Sequence, residues 1–293
     1  MPRITSIGEI LFDVYNGYRT IGGAPFNFIY HIIKLTGKGN FISRIGNDVY
    51  GNEILNFFNN INIPAQYLQR DKEHPTGRAF ANLDENKIPD WVIEKNCAYD
   101  FIEMNKDNEE VIRDTECLYF GTLAQRSPVS RNTIRSLFNQ SIKYFCDLNI
   151  RQQFFTKEII ELALNTSDVL KLNEDELILL NNLFLNIKYE LISSAVQLKN
   201  SYNIELLCVT CGEKGSYLFR GEGIDYYKPL VDKPFDTVGA GDAYAAILCL
   251  GFINDWDLKK INKTANDFAG RIIMISGALP ENDKLYNEFK NNF

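Results

Sequence analysis

The chain has 293 residues, 45% hydrophobic and 24% charged, which is enough to bury one large α/β core or two smaller ones. Its net charge of −7 argues against nucleic acid or an anionic membrane as a bulk partner, and no apolar tract is long enough to span a bilayer. The start Met1-Pro2-Arg3-Ile4 lacks the apolar core of an export signal, so a cytoplasmic location is expected.

Ile4 to Phe12 reads as a buried first strand ending at Asp13, and a charged residue at a strand's C-terminal end is where open α/β sheets contact ligands. Ile21-Gly22-Gly23-Ala24-Pro25-Phe26-Asn27 is a glycine turn opening a helix through His31 and Leu35, with Pro25 in the first turn. Asn40 to Gly46 is a second strand, followed by a helix through Phe58. Alternation of this kind predicts parallel βαβ units. From Gln66 to Tyr99 the rhythm changes. Thr76 to Asp84 and Trp91 to Glu94 form an expected hairpin around Asp84-Glu85-Asn86-Lys87, an excursion from the main sheet that reads as a small lid.

The rhythm resumes with a strand at Glu116 to Gly121, a helix from about Ser130 to Ser141, and a strand ending in Asp147-Leu148-Asn149-Ile150-Arg151. A helix near Lys157 to Leu164 leads to the strand Asp168 to Asn173. Leu206 to Thr210 then turns back through Cys211 to Phe219, and two helical segments close the chain after the second glycine stretch. Cys208 and Cys211 are three apart on or beside a strand, so their side chains point to opposite faces and do not suit one metal. Buried thiols in a reducing compartment are the expectation.

Asp236-Thr237-Val238-Gly239-Ala240-Gly241-Asp242 precedes the apolar run Ala243 to Phe252. It reads as a loop, a glycine turn and a buried helix whose first N–H groups make an anion site. Asp242 in that turn is either a catalytic base beside a bound phosphate or an acid that offsets the helix dipole. The glycines fit neither Gly-x4-Gly-Lys-Ser/Thr nor Gly-x-Gly-x-x-Gly, because Tyr244 stands at the third site of the latter. A nicotinamide oxidoreductase is disfavoured for that reason.

Ile21 to Asn27 resembles the N-terminal signature of the PfkB/ribokinase family of small-molecule kinases, and Asp236 to Ala246 resembles its C-terminal one. Between them, Asn173-Glu174-Asp175-Glu176 matches the family's Asn-x-x-Glu, and Thr210-Cys211-Gly212-Glu213-Lys214-Gly215 matches its nucleotide-side turn. The four matches occur in the family's order and span the chain. They favour the base reading of Asp242.

The resemblance implies a ribokinase-like α/β fold: one domain over 1–293 with a mainly parallel central sheet, flanking helices and a small β lid from segments about 14–22 and 66–99. It implies ATP as phosphoryl donor, with Asp242 as base and the amides of Gly239, Ala240, Gly241 and Asp242 as the anion hole. Asn173 and Glu176 resemble the pair that organises Mg²⁺ through its waters. Asp236 and Thr237 resemble the start of a loop that holds K⁺ in many members. Thr210, Gly212 and Gly215 would line the nucleotide, with Asn266 and Gly277 in the regions that wall its base. Asp13, Gly23 and Asn27 match positions that bind sugar hydroxyls, and Arg151 would steady the sugar or the phosphate unless it is a surface ion pair.

Asp147-x-Asn149-x-Arg151 and the Gly8-Glu9 start look like the fructokinase branch, so fructose to fructose 6-phosphate is the expected reaction. A 2-keto-3-deoxygluconate kinase is the nearest alternative, and a non-catalytic sugar sensor the alternative from another class. A homodimer through the lid is a further expectation.

Overall fold

The computed structural model describes residues 2–293 apart from 16, 62, 84–88, 139 and 230–233. The expected turn at Asp84 to Lys87 lies outside the described residues. In chain order the strands are β1 (Ile4–Ile7), β2 (Leu11–Tyr15), β3 (Tyr18–Gly22), β4 (Asn40–Gly46), β5 (Leu68–Asp71), β6 (Gly77–Leu83) and β7 (Pro89–Ile93). They continue with β8 (Cys117–Phe120), β9 (Lys143–Asp147), β10 (Val169–Asn173), β11 (Leu206–Thr210), β12 (Ser216–Arg220) and β13 (Gly223–Tyr227). The helices are α1 (Ala24–Thr36), α2 (Val49–Asn60), α3 (Lys106–Arg113), α4 (Pro128–Ser136) and α5 (Lys157–Thr166). After them come α6 (Glu174–Leu180), α7 (Leu191–Ser201), α8 (Ala240–Ile253), α9 (Leu258–Ile272) and α10 (Lys284–Phe289).

One sheet has the order β13-β12-β11-β10-β9-β8-β1-β4-β5. It is parallel from β5 to β11 and closes with the antiparallel strands β12 and β13. Helices cover both faces, which is why its inner strands read as continuous apolar runs. Successive residues of β8 alternate between the two layers. Cys117 and Tyr119 pack with Phe28, Phe145 and the helices α1, α8 and α9, whereas Leu118 and Phe120 pack with Ile134, Ile160 and Leu198. Ala243 to Phe252 of α8 are buried on every side, so this helix is apolar all round rather than amphipathic.

The second, smaller sheet, β3-β2-β6-β7, stands where the lid is expected and is termed the lid. Its core is small: Leu11, Ala79, Ile93, Cys97, Tyr99 and Leu123. Two expectations are corrected here. The apolar run Ile4 to Phe12 is two strands in two sheets, because the chain leaves the main sheet at Gly8-Glu9 and enters the lid at Leu11. Asp13 is therefore inside a lid strand and not at the end of a main-sheet strand. β5 lies within the segment expected to be lid, yet it pairs with β4 at the edge of the main sheet. Cys208 is buried in β11 and Cys211 lies past its end; all six cysteines are free.

Candidate active site

A cavity of about 310 Å³ lies between the lid, the start of α1, the loop after β9 and the start of α8. It is lined by Asp13, Gly23, Asn27, Arg151, Gly239, Gly241 and Asp242, all anticipated from sequence, together with Glu9, Trp91 and Lys171, which were not. Ala240 sits in the same turn without lining the cavity.

The turn before α8 has one conformation open to it. Gly239 takes φ 77, and a Cβ there would lie 2.6 Å from the Ala278 Cα. Ala240 N–H returns to Thr237 O, and Ala243 N–H to Gly239 O. The amides of Gly241 and Asp242 fall in the first helical turn, where no carbonyl one turn back can take them. Asp242 is fixed from across the cleft: Asn27 Nδ2 donates to its Oδ2 at 2.7 Å. Burial raises its carboxyl pKa to about 6, against the lowering effect of the Asn27 bond, with Asp147 adding to the rise and Lys171 and Arg151 opposing it.

Below Gly241, Lys171 Nζ pairs with Asp147 Oδ2 at 2.8 Å, and Tyr119 Oη donates to the same oxygen at 3.3 Å. Lys171 is 6% exposed and Asp147 2%. A lone lysine inside the apolar run Val169-Leu170-Lys171-Leu172 was the available signal, since buried ammonium groups persist only when paired.

Two further acids face the cavity. Burial raises Asp13 to about 7, opposed by Arg151 and reinforced by Asp242. Burial likewise raises Glu9 to about 7, opposed by a bond to its own backbone and reinforced by Asp242. Arg151 is exposed to the cleft, on a loop bent by Asn149 at φ 39 and Gln152 at φ 50. Arg151 lines the cavity, and among the described residues no carboxylate lies within 4.0 Å of its guanidinium. Its charge acts instead on Asp13, Glu9 and Asp242. Gln152 Nε2 donates to Trp91 O and ties this loop to lid strand β7.

The residues expected at the nucleotide do not line this cavity. Asn173 and Glu176 make a reciprocal N-cap on α6: Glu176 N–H to Asn173 Oδ1 and Asn173 N–H to Glu176 Oε2, both 2.8 Å. Glu176 Oε1 accepts Ile150 N–H at 2.6 Å, so this acid braces the Arg151 loop. Thr210 pairs in register with Asn173 at the ends of β11 and β10. Gly212 (φ 56) and Gly215 (φ 95) shape the turn beyond it, and a Cβ at Gly215 would meet Tyr227 O at 2.1 Å. Asp236 accepts the N–H of Val238 on one oxygen and of Gly277 on the other, at 3.0 and 2.8 Å. Asn266 is a strut of the fold: its Nδ2 donates to Ser216 Oγ and to Asn262 O, each at 2.8 Å.

Comparison with known proteins places the chain. The pfkB family carbohydrate kinase profile matches residues 8–284. A sugar kinase of Pyrococcus horikoshii is 27% identical over 96% of this chain and 94% of its own. The crystal structure of that protein, in complex with ATP, superposes with TM-score 0.81 over 97% of this chain and 99% of the other, at 24% identity. A 5-dehydro-2-deoxygluconokinase of Mesomycoplasma hyopneumoniae is 26% identical over 93% of this chain and 84% of its own. A Vibrio cholerae fructokinase solved with fructose, ADP and potassium ion matches with TM-score 0.78, 21% identity and 98% coverage of both chains. With its ribokinase-like fold and family-wide match, the chain belongs to the pfkB family of carbohydrate kinases and is a sugar kinase.

Proposed function

We propose that the protein transfers the γ-phosphoryl group of ATP to a primary hydroxyl of a sugar, with fructose to fructose 6-phosphate as the best-fitting reaction. The observation that carries the reading is Asp242 at the head of α8, oriented by Asn27 and opening on the cavity. An acid with a pKa near 6 is ionised at neutral pH yet basic enough to accept a hydroxyl proton in the transition state. As the sugar oxygen bonds to Pγ, the bond from Pγ to the ADP oxygen breaks and the hydroxyl proton passes to Asp242. The amides of Gly239 to Asp242 would hold the phosphoryl oxygens. Thr210, Gly212 and Gly215 would line the nucleotide, with Gly277 beyond them, and Asp13, Gly23 and Asn27 would hold the sugar.

Both oxygens of Glu176 already accept backbone amides, and the lone pairs that remain suit a hydrated cation through its waters rather than a direct bond. Mg²⁺ held there with Asn173 would neutralise charge on the β- and γ-phosphates. A K⁺ at Asp236 would share its oxygens with the amides of Val238 and Gly277.

The acids Glu9, Asp13 and Asp242 on one cavity favour an uncharged sugar over one that brings its own carboxylate. Arg151, a cationic guanidinium lining the cavity, favours the second reading, a 2-keto-3-deoxygluconate kinase. Coupled ADP-release assays with fructose, 2-keto-3-deoxygluconate and 5-dehydro-2-deoxygluconate separate them. The fructose reading expects the highest kcat/KM with fructose, and turnover of a keto acid alone would defeat it.

A further inference from the structure

Resting on that reading, we infer that Glu9 is a specificity-determining sugar contact: its carboxyl takes a hydrogen bond from a sugar hydroxyl other than the one phosphorylated. Glu9 sits where the chain passes from β1 to the lid strand β2, and it lines the cavity together with Asp13 and Asn27. Its side chain is 3% exposed, and its Oε2 has no hydrogen-bond partner among the described residues. Asn27 repeats the pattern. Its Nδ2 is held by Asp242, while its Oδ1 is buried without a partner among the described residues, and Asn27 lines the same cavity. Two orphaned acceptors on residues that line one cavity call for a ligand that brings donors, because buried polar atoms are otherwise paired. A polyhydroxylated sugar carries donors on adjacent carbons, whereas a carboxylate carries none.

The backbone around Glu9 is fixed tightly enough to make the contact selective. Ser43 Oγ donates to Gly8 O at 2.6 Å, and Gly8 N–H to Ile42 O at 3.2 Å. On the other side Gly23, at φ 111, brings α1 so close that a Cβ would lie 2.6 Å from Glu9 O. Glu9 therefore has little room to turn away from the cavity. Desolvation raises its pKa further than the bond to its own backbone lowers it.

The test is Glu9→Gln, which keeps the volume and removes one acceptor. Fructose and the two keto acids would be titrated against wild type and E9Q by calorimetry without ATP, alongside steady-state kinetics and thermal melts. The expected result is a tenfold or greater rise in Kd and KM for the turned-over sugar, with kcat within about threefold, the KM for ATP unchanged and no fall in Tm. Equal sugar affinity in the two proteins, or a KM change matched by a lowered Tm and a raised KM for ATP, would overturn the assignment and leave the kinase reading standing. If wild type turns over only a keto acid, the fructose reading fails, and the same comparison of KM for that acid still decides whether Glu9 touches the substrate.

Discussion

On the wall of the cleft where the chain enters β2 and α1, Glu9 Oε2 and Asn27 Oδ1 are buried without partners among the described residues, and burial pushes the carboxyls of Glu9 and Asp13 up to about 7. At the other end, every oxygen of Glu176 and of Asp236 accepts a backbone amide, and Asn266 holds Ser216 and Asn262 together. The same residue types do opposite work. Satisfied groups fix the shape of the loops proposed to hold the nucleotide, and they stabilise the protein whether or not a ligand is bound. Unsatisfied groups destabilise the empty protein and gain partners only from a ligand. Enzymes concentrate such strain where the substrate binds.

The largest effect that could break this contrast is at Asp242. Asp242→Asn should leave sugar and ATP binding within a few-fold and lower kcat by about 10³-fold or more. Steady-state rates check it, and a kcat within tenfold of wild type would remove the base from the mechanism. Next is Glu176→Ala, which leaves the Ile150 and Asn173 amides without acceptors. It should cost about 1–3 kcal/mol for each in a urea unfolding series, together with a raised KM for ATP. Unchanged stability would mean that the satisfied wall does not hold the fold.

Glu9→Gln should move stability the other way. The folded-state pKa of Glu9, about 7, lies above its ordinary 4.5, so ionising it costs the folded protein more than the unfolded one. That cost is absent below pH 4.5 and complete above pH 7, where it amounts to about 3 kcal/mol. E9Q should therefore melt higher than wild type at pH 8 and at the same temperature at pH 4.5. The smallest effect is the pH profile. With Asp242 near 6, kcat/KM should fall about tenfold from the plateau to pH 5 as the base is protonated. An acid limb near pH 4 instead would show that burial does not tune this residue.

The parts of the molecule that are legible in the sequence are those written as contiguous runs. The α8 turn, the α1 turn, the Asn173-to-Glu176 cap and the Thr210-to-Gly215 turn each sit on consecutive residues, and their glycines are required by local backbone geometry. What was missed depends on which sheet a strand joins. Ile4 to Phe12 is apolar throughout, so periodicity could not show that it changes sheets at Gly8-Glu9, and Glu9 was hidden inside an apparent strand. Lys171 was hidden for a related reason, since its partner Asp147 lies on the neighbouring strand and is distant in sequence. Asn266 shows the converse: its neighbourhood was anticipated, but only three-dimensional packing reveals that its amide is used by Ser216 and Asn262.

The lid's central pairing joins β2 to β6 in parallel, so residue 11 meets residue 77, with α1, β4, α2 and β5 of the main body between them in the chain. Neither stretch can complete the lid alone. Its closure waits on the intervening βαβ segment, because a long chain loop must be organised before the two strands can meet. The lid has a small core of its own, and its Phe12, Val14 and Ile21 also pack against the core of the main body. The wall that carries Asp13 and Trp91 is thus completed only once the intervening part of the main sheet is in place.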